Sequence, residues 1–216
     1  MCNLNKIVTL FDFDGVIMDT ESQYTLFWNR MGEEFLGVEN FGPGIKGQTM
    51  VQIYDRYFKG KPDEQRTISE HLYAYEHDMS YEYIPGAVSF IDDLRAHEVK
   101  VAIVTSSDER KMALIYDRHP ELKTMVDVIL TGERFARSKP APDCFLLGME
   151  QFEASPKQTF VFEDSFHGLK AGIDSGATVV GLATTNSREA ISDHSHFVID
   201  DFTRMTYSKL VERNFE

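Results

Sequence analysis

VTLFDFDGVI, residues 8–17, is an apolar run that breaks into two carboxylates and a glycine. Ile7, Val8, Leu10 and Phe11 read as a strand buried on both faces, as strands of a parallel sheet are. Reactive groups of an open α/β sheet gather where strands end at their carboxyl edge, so Asp12 is expected as the last strand residue and Asp14 as the first of the loop. Side chains two apart on an extended segment share a side, which lets both carboxylates address one small volume while Phe13 turns into packing. Taken alone, FDFDG is equally a strand running into an ordinary Asp-Gly turn.

Beyond residue 86 the chain alternates. A helix over Ala87–His97 is followed by VKVAIVT, a helix after Ser107, DVIL, a helix from Asp143 through Phe152, TFVFE, a helix over Ser165–Ser175, then ATVVGLA and HFVI. Short β-branched runs separated by helices are βαβ units, so the fold class is α/β with a Rossmann-like parallel sheet core. Residues 20–80 interrupt the pattern with three apolar helical faces: Tyr24, Phe27, Trp28, Met31 and Phe35; Met50, Ile53, Tyr54, Tyr57 and Phe58; and Ile68, Leu72, Tyr75 and Met79. Gly44 to Gly47 and Pro62 punctuate them. The expected organisation is a core of residues 1–15 and 85–216 with residues 16–84 inserted as an α-helical domain. No repeat or low-complexity tract is visible, and the aromatic stripes read as core.

Composition narrows the function. Lysine and arginine total 22 against 35 aspartates and glutamates, a net charge of -13, which argues against a nucleic-acid partner or an acidic membrane surface. Cys2 and Cys144 are too few for a disulfide framework and lack metal-ligand spacing. Residues 1–6, MCNLNK, have no apolar signal region, and no membrane-length apolar run occurs. The expectation is a cytoplasmic chain, with a monomer as the simplest assembly.

An aspartate can attack phosphorus and carry the phosphoryl group as an acyl phosphate, and a neighbouring carboxyl group can serve as acid and then as base. Asp12 is the candidate nucleophile and Asp14 the candidate acid/base. A like-charge pair at 4 Å costs about 4 kcal/mol at an effective dielectric near 20, so counter-charge is required. Lys139 in SKPAPD supplies one source, and a magnesium ion at Glu163 and Asp164 of FEDS another. Magnesium takes oxygen ligands, for which Asp12, Asp164 and the main-chain carbonyl of Asp14 suffice. Thr105, ending VKVAIVT, offers a hydroxyl to a phosphoryl oxygen, and Ser106 an exposed amide. Singly, each has a plain alternative: a solvated lysine, helix-start charge, a strand end.

FDFDGV, IVTSS, SKPAPD and FEDSFHG, in this order, resemble the haloacid dehalogenase superfamily, in its magnesium-dependent phosphatase and phosphomutase branch. The resemblance spans nearly the whole chain. It implies Asp12 as nucleophile, Asp14 as acid/base, Thr105 and Lys139 as phosphoryl ligands, and Asp12, Asp14 and Asp164 at the metal with Glu163 near it. It also implies that the insert is a helical cap that selects the substrate. FGPGIKGQTM looks like the specificity loop of β-phosphoglucomutases and sugar-phosphate phosphatases, with Lys46 able to reach a substrate oxygen. Where β-phosphoglucomutases carry a histidine on the first cap helix and an arginine just beyond the cap loop, this chain has Tyr24 and Met50, which weakens the mutase reading. The expected partner is a small phosphorylated metabolite such as a sugar or polyol phosphate. A phosphomutase is the nearer alternative; a phosphonate hydrolase using Lys46 and a non-catalytic regulatory module are minor ones.

Overall fold

In a computed structural model describing residues 7–212, the chain forms β1 (Val8–Phe11), α1 (Glu21–Leu36), α2 (Met50–Tyr57), α3 (Pro62–Asp78), α4 (Ala87–Ala96), β2 (Lys100–Val104), α5 (Glu109–Arg118), α6 (Leu122–Met125) and β3 (Val128–Leu130). It continues through α7 (Asp143–Gln151), β4 (Thr159–Glu163), α8 (Phe166–Ser175), β5 (Thr178–Leu182), α9 (Arg188–Ile191), β6 (Phe197–Ile199) and α10 (Tyr207–Glu212). Cys2 and the MCNLNK segment lie outside the described residues. Every strand expected from the sequence forms; α6, α9 and α10 are short helices that the apolar pattern did not signal. No helix among the described residues is long and apolar enough to cross a membrane.

The six strands form one parallel sheet in the order β3-β2-β1-β4-β5-β6. The chain winds outward from β1 first one way and then the other, so the carboxyl ends of β1, β2 and β4 meet at the point where strand order reverses, where α/β folds place their ligands. Phe11 stands opposite Ile103 on one side and Phe162 on the other, which brings the residues just beyond each strand to one edge. β1 ends at Phe11, one residue earlier than expected; Asp12 follows, its amide still donating to the Phe162 carbonyl at 3.0 Å.

Period-two alternation divides the core between two faces. Phe11, Ile103 and Phe162 pack with α4 and α5, and the Phe11 and Phe162 rings stack at 4.4 Å. Val8, Leu10, Val104 and Val161 pack with α7 and α8, around Cys144, Phe145 and Leu169. Both faces are covered, which is why these strands are apolar apart from Thr9 and residues at the strand ends such as Lys100, Thr159 and Glu163.

α1, α2 and α3 enclose a separate apolar cluster of Phe27, Trp28, Met31, Phe41, Ile45, Ile53, Phe58, Ile68 and Leu72. Pro62 opens α3, where its missing N–H is not needed. A capping box starts α2: Thr49 accepts from the Gln52 amide, and the Gln52 side chain accepts from the Thr49 amide. The helical unit joins the sheet through two adjacent segments, with Asp19 donating to Glu82 and Ile84 to Ile17, each at 2.9 Å.

Candidate active site

Asp12, Thr105 and Asp164 each follow a strand directly, and Glu163 is the last residue of β4. Together with Asp14, Ser106 and Lys139, all but Glu163 line a cleft of about 850 Å³ between the sheet's carboxyl edge and the helical unit. Tyr24, Lys46 and Met50 line the same cleft from the helical side. Gly15 makes the turn after β1 at φ +76°, and a side chain there would collide with the Asp164 carboxylate.

Lys139 is the hub. Its ammonium, 1 % exposed, donates at 2.6 Å to Asp12 Oδ1 and at 2.6 Å to Glu163 Oε1. Glu163 spends its other oxygen on the amides of Asp164 and Ser165 and the Ser165 hydroxyl. Gly168, in the first turn of α8, leaves room for that carboxylate, because any side chain there would overlap it.

Three buried carboxylates, Asp12, Glu163 and Asp164, bring oxygens within 4.8 Å of one another. With all three ionised, the one ammonium that faces them would leave two negative charges without compensation. The titration of the group follows: burial pushes Asp12 up to about 7, with Lys139 opposing and Glu163 adding to the rise. Burial, then the Glu163 charge, raises Asp164 well above the usual carboxylate range. Asp164 Oδ2 is buried without a hydrogen-bond partner. An all-oxygen donor set with two surplus charges and an orphaned carboxylate oxygen fits a hard divalent cation. These residues could hold a metal.

Asp14 behaves oppositely. Burial raises its carboxyl, but the Lys111 ammonium and two hydroxyl donors outweigh burial and hold it below the ordinary value. Lys111 Nζ lies 2.6 Å from each Asp14 oxygen, Thr20 donates at 2.5 Å to Oδ1, and Ser107 at 2.9 Å to Oδ2. Lys111, Ser107 and Thr20 were not anticipated from the sequence. Thr105 is buried, and its hydroxyl accepts from the Ser107 amide at 3.0 Å. The Ser106 hydroxyl is buried without a partner.

On the helical side, the Tyr24 hydroxyl donates to Glu76 at 3.0 Å. Lys46 lies 3.9 Å from Glu21, whose carboxyl burial and the Asp14 charge push up to about 7. Among the contacts that tie this side to the sheet, Gln52 Nε2 donates to the Lys139 carbonyl at 3.0 Å, and His167 Nδ1 to the Lys46 carbonyl at 2.9 Å.

A family model described as haloacid dehalogenase-like hydrolase matches residues 9–182. The phosphorylated carbohydrates phosphatase of Thermotoga maritima is 30% identical over 184 residues, covering 77% of this chain and 80% of that protein. The bifunctional riboflavin kinase/FMN phosphatase of Arabidopsis thaliana is 28% identical over 81% of this chain, which spans 46% of that longer protein. Among solved structures, β-phosphoglucomutase from Clostridium difficile superposes with a TM-score of 0.81 at 20% identity, covering 97% of both chains.

Proposed function

The chain belongs to the haloacid dehalogenase-like hydrolases and is an enzyme, and on that footing we propose that it is a magnesium-dependent phosphohydrolase of a sugar or polyol phosphate, working through an aspartyl phosphate on Asp12. The observation that carries the reading is the buried set of Asp12, Glu163, Asp164 and Lys139, whose surplus of two negative charges calls for a cation. The phosphatase named for phosphorylated carbohydrates supports the substrate class.

In the first step an Asp12 oxygen attacks phosphorus in line, the bond from phosphorus to the ester oxygen breaks, and Asp14 gives its proton to the departing oxygen. In the second, Asp14 takes a proton from water, the water oxygen attacks phosphorus, and Asp12 is released as a carboxylate. Lys139, Thr105 and the Ser106 amide hold the phosphoryl oxygens through both. Asp12, Asp164 and the Asp14 carbonyl would hold magnesium, which when bound supplies positive charge against the phosphoryl oxygens and the carboxylates. Glu163, with both oxygens occupied by donors, orients Lys139.

Water rather than a second sugar hydroxyl is favoured as acceptor by the cations lining the cleft. Lys111 is paired with Asp14 at 2.6 Å, Arg137 with Asp143 at 2.8 Å, Lys46 faces Glu21 at 3.9 Å and Arg110 faces Asp108 at 4.0 Å. A bisphosphate would have to dissolve one of these pairs to seat its second phosphate. Residues 16–84 serve as the cap, with Tyr24, Lys46 and Met50 on its substrate-facing side.

Phosphate release from a panel of sugar, polyol and nucleotide monophosphates, with and without magnesium, tests the reading. Asp12→Asn is expected to abolish turnover while keeping the wild-type circular dichroism spectrum. Retained turnover in that variant would remove Asp12 as nucleophile.

A further inference from the structure

Lys111 is an ammonium where a helix would ordinarily present a surface lysine, yet it is 5 % exposed. It sits on the first turn of α5, fixed by Asp108, which caps the helix by accepting from the Lys111 amide at 2.8 Å. Its three protons have definite acceptors: both Asp14 oxygens at 2.6 Å and the Ser107 hydroxyl at 3.0 Å. The Tyr24 ring covers it, with its centroid 4.5 Å from Nζ, and Phe13 lies beneath at 5.8 Å. The Tyr24–Glu76 bond holds that covering ring in place from α1 to α3.

We propose that Lys111 is a positioning residue that fixes the Asp14 carboxyl plane for proton delivery to the leaving oxygen. The proposal rests on the phosphohydrolase reading above. An ammonium donates only, whereas the hydroxyls of Thr20 and Ser107 donate or accept. When Asp14 carries its proton, Lys111 therefore keeps the bare oxygen, and the protonated one is left to address the ester oxygen. As the bond between phosphorus and that oxygen breaks, the proton passes from Asp14 to the departing alkoxide, and Asp14 returns to a carboxylate bonded by Lys111 at both oxygens. Without Lys111 the carboxyl turns about its last torsion, and proton transfer in the transition state loses its orientation.

A leaving group that needs no proton does not feel this loss, which gives the role a signature beyond folding. kcat/KM reports the first displacement alone, so it is compared for glucose 6-phosphate and for p-nitrophenyl phosphate. Lys111→Met is expected to lower it on the order of 10–100-fold for the sugar ester and less than about 3-fold for the aryl ester. Lys111→Arg, which restores a bidentate donor, is expected to recover much of the loss on the sugar ester. An equal loss on both esters, or no loss on either, would overturn the positioning role. If Lys111→Met does not fold, the ratio of the two esters in Lys111→Arg decides: a fall larger on the sugar ester than on the aryl ester supports the role, and an unchanged ratio would count against it. Where wild type does not turn over glucose 6-phosphate, the alkyl ester it hydrolyses best in the panel replaces it; wild-type protein that releases phosphate from no ester of the panel would overturn the phosphohydrolase reading and this role with it, whereas a loss seen in Lys111→Met but not in wild type bears on Lys111 alone.

Discussion

Replacing Lys139 by methionine tests the charge balance of the site, because the ammonium is 1 % exposed and bonds two carboxylates at 2.6 Å each. Methionine keeps most of the volume and removes the charge. Breaking a buried ion pair by deleting one partner costs about 3–5 kcal/mol, since the other is left charged and desolvated. For a chain of this length each kcal/mol moves the melting temperature about 2–4 °C, so Lys139→Met is expected to melt about 6–20 °C below wild type. The assay is thermal unfolding by circular dichroism in metal-free buffer near neutral pH, where wild-type Lys139 is charged. Adding Glu163→Gln to Lys139→Met removes one of the stranded charges and is expected to recover about 1–3 kcal/mol of the loss, a coupling suited to groups in direct contact. A Lys139→Met protein that melts within about 2 °C of wild type would refute the reasoning. So would a double variant no more stable than the single.

A second expectation concerns pH and the metal. The raised carboxyl of Asp12, at about 7, means that the folded metal-free protein holds a proton that the unfolded chain releases near its ordinary value. Stability of the metal-free protein should fall as pH rises between about 4 and 7, by a few kcal/mol in order of magnitude, and magnesium, which binds the deprotonated form, should stabilise more at about pH 7.5 than at about pH 5; a magnesium-dependent melting shift independent of pH would contradict it. Gly168→Ala is expected to disrupt the site as well as the helix start, because a Cβ at that position meets the Glu163 carboxylate. The variant should lose most phosphate release and melt lower, and wild-type values for both would show that α8 moves away freely.

The strand ends were legible because a parallel strand buried on both faces is a largely apolar run, and the polar residue at its carboxyl end marks where the run stops. VTLF before Asp12, VAIV before Thr105 and FVF before Glu163 all carry that signature, and the sheet joins them side by side. The helical insert was legible from its aromatic spacing. Lys111 was not, because DERK reads as a solvated helix start and its burial depends on Tyr24, which arrives from a different part of the chain. Gln52 carried half a signal. The Thr49–Gln52 spacing marks a capping box, but nothing local tells that the same side chain also reaches the Lys139 carbonyl. The short helices α6, α9 and α10 span too few residues for apolar periodicity to show.

The two aspartates of FDFDG end in opposite electrostatic settings. In the proposed displacement Asp12 attacks phosphorus as a bare carboxylate, yet burial and the Glu163 charge push it up to about 7. The same proposal has Asp14 hold a proton for the leaving oxygen, yet Lys111 and its companions hold it down. In the metal-free chain each group is thus biased away from the state that the first displacement needs. Positive charge beside Asp12 and Asp164 lowers the first, since opposite charge within about 4–6 Å favours the ionised carboxylate. A phosphoryl group brings negative charge into the same cleft and raises the second for the same reason. Cation and substrate therefore correct the two biases in complementary directions, and neither alone corrects both.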